Sequence, residues 1–327
     1  MKKLFALILV LLLAAAPAFA GETLRVAAVL SGSLGDRSFY DSANEGIQTL
    51  MELYPDRVKG SVIECKNDAS MFTSNLISAA EQNDVVVAVG WEFWDALTEY
   101  VSELPDTKFV FVDNGLDGVG DNLLSITYAQ NEGSFLVGYI AGKLTETGKI
   151  GVVGGEDSET INDFIVGYEA GAKYAREDVE CMRQYAGTYD DPAKGKENAL
   201  ALYGMGCDIV FQVASRTGEG VFEAAEETGH LAIGVDSDQK YINPDVIICS
   251  MIKQVGNSIV AVVQGILEED SFAGGTIWSA NMASGLIDVG YGEEGMPQQV
   301  SDELKAEVAQ IKQDIIDGVI EVPTAFH

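Results

Sequence analysis
The chain has 327 residues, with 20 Lys and Arg against 51 Asp and Glu, and so a formal net charge of −31 at pH 7. That balance excludes nucleic acid and anionic membrane surfaces as partners, because phosphate recognition needs clustered Lys and Arg. With 47% hydrophobic and 22% charged residues the chain can bury a full core, which excludes disorder, and at about 150 residues per domain its length suits two domains.

The first element is a leader. Met1-Lys2-Lys3 is basic, Leu4–Ala16 is an apolar run of 13 residues, and Ala18-Phe19-Ala20 is a small-x-small site ahead of Gly21. This is the pattern of a signal peptide, residues 1–20, cleaved on export. The apolar run falls short of the roughly 20 residues that span a bilayer. No Cys follows it, so no lipid anchor is expected, and the mature chain is expected in a periplasm. Cys65, Cys181, Cys207 and Cys249 are too widely spaced for a zinc site, and the only histidines are His230 and His327. Two bridges in one of three connectivities, or buried free thiols, both remain open.

Short Val- and Ile-rich runs then alternate with amphipathic segments. The runs are Leu24–Leu30, Val58–Glu64, Val85–Val89, Phe109–Val112, Lys149–Val153, Asp208–Val213 and Leu231–Val235. Continuous apolar runs suit strands covered on both faces, which points to parallel sheets flanked by helices and an α/β class. Ser38 reads as the N-cap of a helix over Phe39–Leu53, and Asp163–Tyr174 has helical spacing. Gly148, Gly206 and Gly229 stand where helices stop.

An internal echo organises these elements. Val85–Gly90 leads into a helix and then Phe109-Val-Phe-Val-Asp113, while Ile209–Ala214 leads into a helix and then Ala232-Ile-Gly-Val-Asp236. The spacings from Gly90 to Asp113 and from Ala214 to Asp236 are 23 and 22 positions. Ligands of open α/β sheets gather at the carboxyl ends of strands, so both aspartates are expected to face one crevice from opposite halves. The alternative is a pair of ordinary solvated strand-end turns. The boundary between halves falls near Thr127–Asn131. Ile247–Lys253, the helix Val255–Leu267 and the helix Ser301–Asp317 are expected to cross back between lobes and make a multi-strand hinge. The expected division is 21–128 plus about 253–285 for lobe 1, and 129–252 plus about 286–327 for lobe 2.

Enzyme signatures are missing: the sequence has no H-E-x-x-H, no G-x-S-x-G and no G-x-G-x-x-G after a strand. Gly138-Tyr-Ile-Ala-Gly-Lys143 lacks the spacing of a phosphate loop and reads as a helix interior whose small residues allow close packing. Aromatics cluster after strands: Phe39 after the first, Trp91, Phe93 and Trp94 after the third, and Tyr189 after the strand near Arg183–Gly187. Phe93 reads as core, while Trp91 suits core or cleft equally. Two aromatic faces can sandwich a flat ring, with about 1–3 kcal/mol per stacked base.

Gly35-Asp-Arg-Ser-Phe39, Val112-Asp-Asn114, Gly133-Ser-Phe-Leu-Val-Gly-Tyr-Ile-Ala141, Gly151-Val-Val-Gly-Gly155, Phe164-x-x-Gly-Tyr168 and Gly187-Thr-Tyr-Asp-Asp-Pro-Ala-Lys-Gly195 occur in that order. Together they resemble the basic membrane protein (BMP) family, purine-nucleoside-binding receptors of ABC importers, over nearly the whole mature chain. The resemblance implies a type I periplasmic-binding-protein fold of two doubly wound parallel-sheet lobes. It implies a purine nucleoside or nucleobase as ligand, an inner-membrane ABC permease as partner, no cofactor and no catalytic residue; a monomer is expected. By motif, Asp36 would read the polar edge of the base, and Phe39 and Tyr189 would stack on its faces. Asp113 and Asp236 would accept from ribose hydroxyls, Lys253 would donate to the sugar, and the loop from Ala214 and Ser215 to Gly218 would line the cleft. Three positions depart from the pattern: Ser31 where many members have Asp, Tyr40 where Asn usually follows the Phe, and Ala214-Ser-Arg216 where a Gly-rich run is usual. They would reshape the base pocket, shrink it toward a free nucleobase or select another ligand. Two other readings stand beside the transport receptor: a secreted nucleoside hydrolase, which needs a metal or activated water that no motif supplies, and a ligand sensor for a membrane receptor.

Overall fold
The computed structural model describes residues 23–326, and the expected leader lies outside them. The first half alternates β1 (Leu24–Leu30), α1 (Phe39–Leu53), β2 (Val58–Glu64), α2 (Ala69–Ala80), β3 (Val85–Val89), α3 (Trp94–Tyr100), β4 (Lys108–Val112) and β5 (Leu123–Tyr128). The second runs through α4 (Gln130–Leu144), β6 (Lys149–Gly154), α5 (Glu159–Ala175), β7 (Glu180–Tyr185), α6 (Pro192–Gly204), β8 (Ile209–Val213), α7 (Glu219–Thr228), β9 (Leu231–Asp236) and β10 (Ile247–Lys253). It is followed by α8 (Val255–Glu269), β11 (Thr276–Ala280), β12 (Ile287–Gly290) and α9 (Asp302–Ile316).

The strands form two six-stranded sheets, ordered β11-β5-β4-β3-β1-β2 and β12-β10-β9-β8-β6-β7. All pairings are parallel except β10 with β12. Alternation within β1 shows why its run from Val26 to Leu30 is apolar without a break. Val26, Ala28 and Leu30 pack toward α1 and α8, while Ala27 and Val29 face the core under α2 and α3. A strand sandwiched between helix layers has no solvent face for a polar residue to occupy.

The chain passes between lobes three times, at β5 to α4, at β10 to α8 and between β11 and β12. The Ala129 amide donates to the Ala280 carbonyl at 2.8 Å and the Gln254 amide to the Leu286 carbonyl at 2.9 Å, so the crossings are tied side by side. Lys253, expected at the start of a return into lobe 1, ends β10 in the second sheet. Helices α4 and α5 meet through backbone, because a Cβ on Gly138 would lie 2.1 Å from the Tyr168 carbonyl oxygen and one on Gly171 only 1.9 Å from that of Phe135. The small residues of 138–143 thus serve close packing. All four cysteines are free thiols. Among the described residues no helix is long and apolar enough to cross a membrane.

Candidate functional site
The carboxyl ends of both sheets face one another across a cavity with an empty volume of about 550 Å³, part of it open to solvent. Loops after β1, β3 and β4 bring Phe39, Tyr40, Trp91 and Asp113 to its wall. The opposite lobe supplies Tyr189, Ala214, Ser215, Asp236 and Lys253. Nine of the ten residues expected from sequence therefore line one space.

Asp113 directly follows β4 and Asp236 ends β9, with φ of 78° and 63°. Non-glycine residues rarely hold this left-handed conformation, and such strain gathers at functional sites. In both lobes the strand breaks at the aspartate and turns its carboxylate into the cavity. The Lys253 ammonium, 2% exposed, donates to Asp113 Oδ1 at 2.8 Å and lies 3.8 Å from Asp236 Oδ1. It also sits 4.9, 5.3 and 5.1 Å from the ring centres of Phe39, Tyr128 and Phe164. One buried cation thus offsets a buried carboxylate, Asp236, and a partly buried one, Asp113, an arrangement that keeps either from standing unpaired. Burial still pushes the Asp236 carboxyl up, with Lys253 opposing it.

Two residues of the Gly35–Phe39 motif make contacts other than those expected. Ser38 stands at the N-cap position of α1 but makes no side-chain cap; its hydroxyl donates across the cavity to Asp236 Oδ2 at 2.6 Å. Asp36, expected to read the base, lies behind the wall, 1% exposed. Its carboxylate accepts from the backbone amides of Ser38, Tyr40 and Asp41, all at 3.1 Å, so it caps the helix instead. It also accepts from Ser215 Oγ of the other lobe at 2.8 Å. Burial lifts its pKa to about 6. With the Gln239 side chain donating to the Arg37 carbonyl at 3.1 Å, these bonds hold the lobes in a closed arrangement.

The departures at positions 31 and 40 are a pair. The Ser31 and Tyr40 hydroxyls are hydrogen-bonded at 2.9 Å, and the Tyr40 ring covers Gly32, where a Cβ would meet it at 2.3 Å. The Tyr189 ring packs against Gly155, on which a Cβ would fall 2.1 Å from it. Arg216 turns to Asp190 at 2.9 Å and does not line the cavity. Trp91 is 39% exposed beside the cavity, whereas Phe93 is fully buried against Phe72.

Sequence reasoning missed Glu92, Ser158, Thr160, Ile161 and Phe164, which also line the cavity. Four of these follow β6, and applying the strand-end rule to that run would have found them. Glu92, in the turn after β3 beside Trp91, answers to the same rule. Among the described residues no group of His, Cys, Asp and Glu is arranged to hold a metal ion.

Comparison with known proteins places this geometry. The family model described as "ABC transporter substrate-binding protein PnrA-like" matches residues 23–325. "Basic membrane protein A" of Borreliella burgdorferi is 33% identical over 308 residues, covering 93% of this chain and 88% of that protein. The "ABC transporter nucleoside-binding protein BmpA" of Lactococcus lactis is 36% identical over 313 residues, covering 90% and 87%. Among solved structures, an ABC transporter solute-binding protein from Aeropyrum pernix superposes with a TM-score of 0.81 at 25% identity, covering 92% and 94%. One from Conexibacter woesei gives 0.74 at 22% identity, covering 93% and 100%, and supports the fold. Substrate-binding proteins of ABC transporters act outside the cytoplasmic membrane, take a small molecule as ligand and a membrane permease as partner, and are not enzymes. The chain belongs to the Bmp family of PnrA-like ABC transporter substrate-binding proteins.

Proposed function
We propose that the chain captures a purine nucleoside, or the corresponding base, between its lobes and delivers it to an inner-membrane ABC permease. The observation that carries this reading is the convergence of Asp113 and Asp236, one from each lobe, on Lys253 inside a single cavity. Two acceptor-only carboxylates suit the vicinal hydroxyls of ribose, with the ammonium as a further donor. Phe39 and Tyr40 on one side and Tyr189 on the other supply aromatic surface for a flat base. The nucleoside-binding relative from Lactococcus lactis supports the same ligand class.

On this reading residues 23–128 and 254–285 form one moving body, and residues 129–253 and 286–326 the other. Ligand contacts from both bodies favour closure, and the closed form, as a monomer, docks on the permease. Export by a leader cleaved after Ala20 would put the chain in the periplasm.

The test is calorimetry on protein freed of ligand by unfolding and refolding. A purine nucleoside or base should bind, come back chemically intact, and bind at least several-fold more weakly to the Asp236→Ala variant. Absence of binding by every purine nucleoside and base, or a dissociation constant unmoved by Asp236→Ala, would defeat the proposal.

A further inference from the structure
The cavity contains a carboxylate that neither the two-aspartate arrangement nor the aromatic walls employ. Glu92 lies three residues past the end of β3 on the lobe 1 wall, and its Oε2 is buried with no hydrogen-bond partner among the described residues. Its surroundings explain how a buried acid is tolerated there. Gly90, at φ 119°, brings the backbone through a conformation open to glycine, and a Cβ on it would fall 2.3 Å from Ser31 Oγ and 2.5 Å from Glu92 Oε2. The Ser31 hydroxyl and the Glu92 carboxylate therefore flank a single point. An aspartate at position 31 would set two buried carboxylates side by side; Ser31, hydrogen-bonded to Tyr40, places a neutral hydroxyl there instead. Ser31, Tyr40 and Glu92 form one unit whose acid stands on the turn after β3.

Glu92 lines the same cavity as Tyr40 of its own lobe and Tyr189 of the other, and it belongs to neither of the two ion pairs that Lys253 makes with Asp113 and Asp236. Burial pushes its carboxyl above the usual range, a cost that a donor from the ligand would recover.

Resting on the nucleoside reading above, we infer that Glu92 is the specificity-determining residue of the site, accepting N–H bonds from the six-membered edge of a 6-oxopurine. An ionised carboxylate is acceptor-only. Guanine offers adjacent donors on that edge, N1–H and the 2-amino group, and hypoxanthine offers N1–H alone. Adenine sets its N1 lone pair beside the 6-amino group, so a carboxylate facing that edge meets an acceptor. The expected order is guanosine, then inosine, then adenosine. A hydrogen bond to a charged group is worth a factor of about ten to a hundred in affinity.

The experiment is titration calorimetry of wild-type and Glu92→Gln protein with guanosine, inosine and adenosine. The wild type should bind guanosine at least tenfold more tightly than adenosine. In Glu92→Gln, whose amide both donates and accepts, that ratio should shrink at least tenfold. Each ratio is taken within one protein, so a partly misfolded variant does not distort it. Equal or tighter adenosine binding by the wild type, or a ratio that Glu92→Gln leaves within twofold, overturns the assignment while leaving the nucleoside reading standing. Wild-type protein that binds none of the three overturns both.

Discussion
Lys253→Met is the most informative single change in the cavity, because it keeps most of the side-chain volume and removes only the charge. The ammonium is paired at 2.8 Å with Asp113 and lies 3.8 Å from Asp236, both largely shielded from solvent. Breaking a buried ion pair from one side costs about 3–5 kcal/mol, because it strands the remaining charge. Here two carboxylates are stranded, but one can escape by taking up a proton. Burial already raises the Asp236 carboxyl and Lys253 is the largest opposing influence, so its removal raises that carboxyl further. Such a group stabilises the fold while protonated, and that stability is lost as pH rises through its folded-state pKa. The variant should therefore lose about 3 kcal/mol at pH 7.5 and clearly less at pH 5. Urea titrations at the two pH values, read as the shift of midpoint against wild type, measure this directly. Adding Asp113→Asn to Lys253→Met should restore part of the loss by removing one of the stranded charges. A midpoint unchanged at pH 7.5, or a loss identical at both pH values, would show that the cluster is not electrostatically coupled.

Two further changes probe the frame of the site. The Asp36 carboxyl, lifted by burial to about 6 from 3.8, holds its proton more tightly in the folded state. Its contribution is full below about pH 4 and declines by about 3 kcal/mol as pH rises to 6 and beyond. Asp36→Asn should flatten that part of the stability profile, as seen in urea midpoints between pH 4 and 7; an unaltered slope would rule out Asp36 as its source. Gly171→Ala would press a methyl group within 1.9 Å of the Phe135 carbonyl oxygen, so thermal unfolding followed by circular dichroism should come several degrees lower, from an overpacking cost of about 1–3 kcal/mol. An unchanged melting temperature would mean that α4 and α5 are not packed through backbone at this crossing.

The amino-acid sequence by itself determined the elements whose burial leaves no choice. β1, β2, β3 and β10 have the bounds their runs predict; β3 and most of β1 and β10 are apolar because strands covered on both faces must be, whereas the edge strand β2 is largely half-buried or exposed. α1 likewise spans Phe39–Leu53 as its periodicity requires. The echo that ends in Asp113 and Asp236 located both carboxylates, because strand-end position is a local property. Edge strands β11 and β12 are short and partly exposed, so their sequences carried no such signal. Tertiary structure alone decided what the side chains near the cavity do. Asp36 and Ser38 are two residues apart, yet which of them caps α1 and which reaches the opposite lobe depends on Asp236, 198 positions beyond Ser38. The position of Glu92 beside Ser31 and Tyr40 is equally a product of β1 pairing with β3. Periodicity reports how much of a residue is buried, but only the packed neighbour determines which group its polar atoms meet.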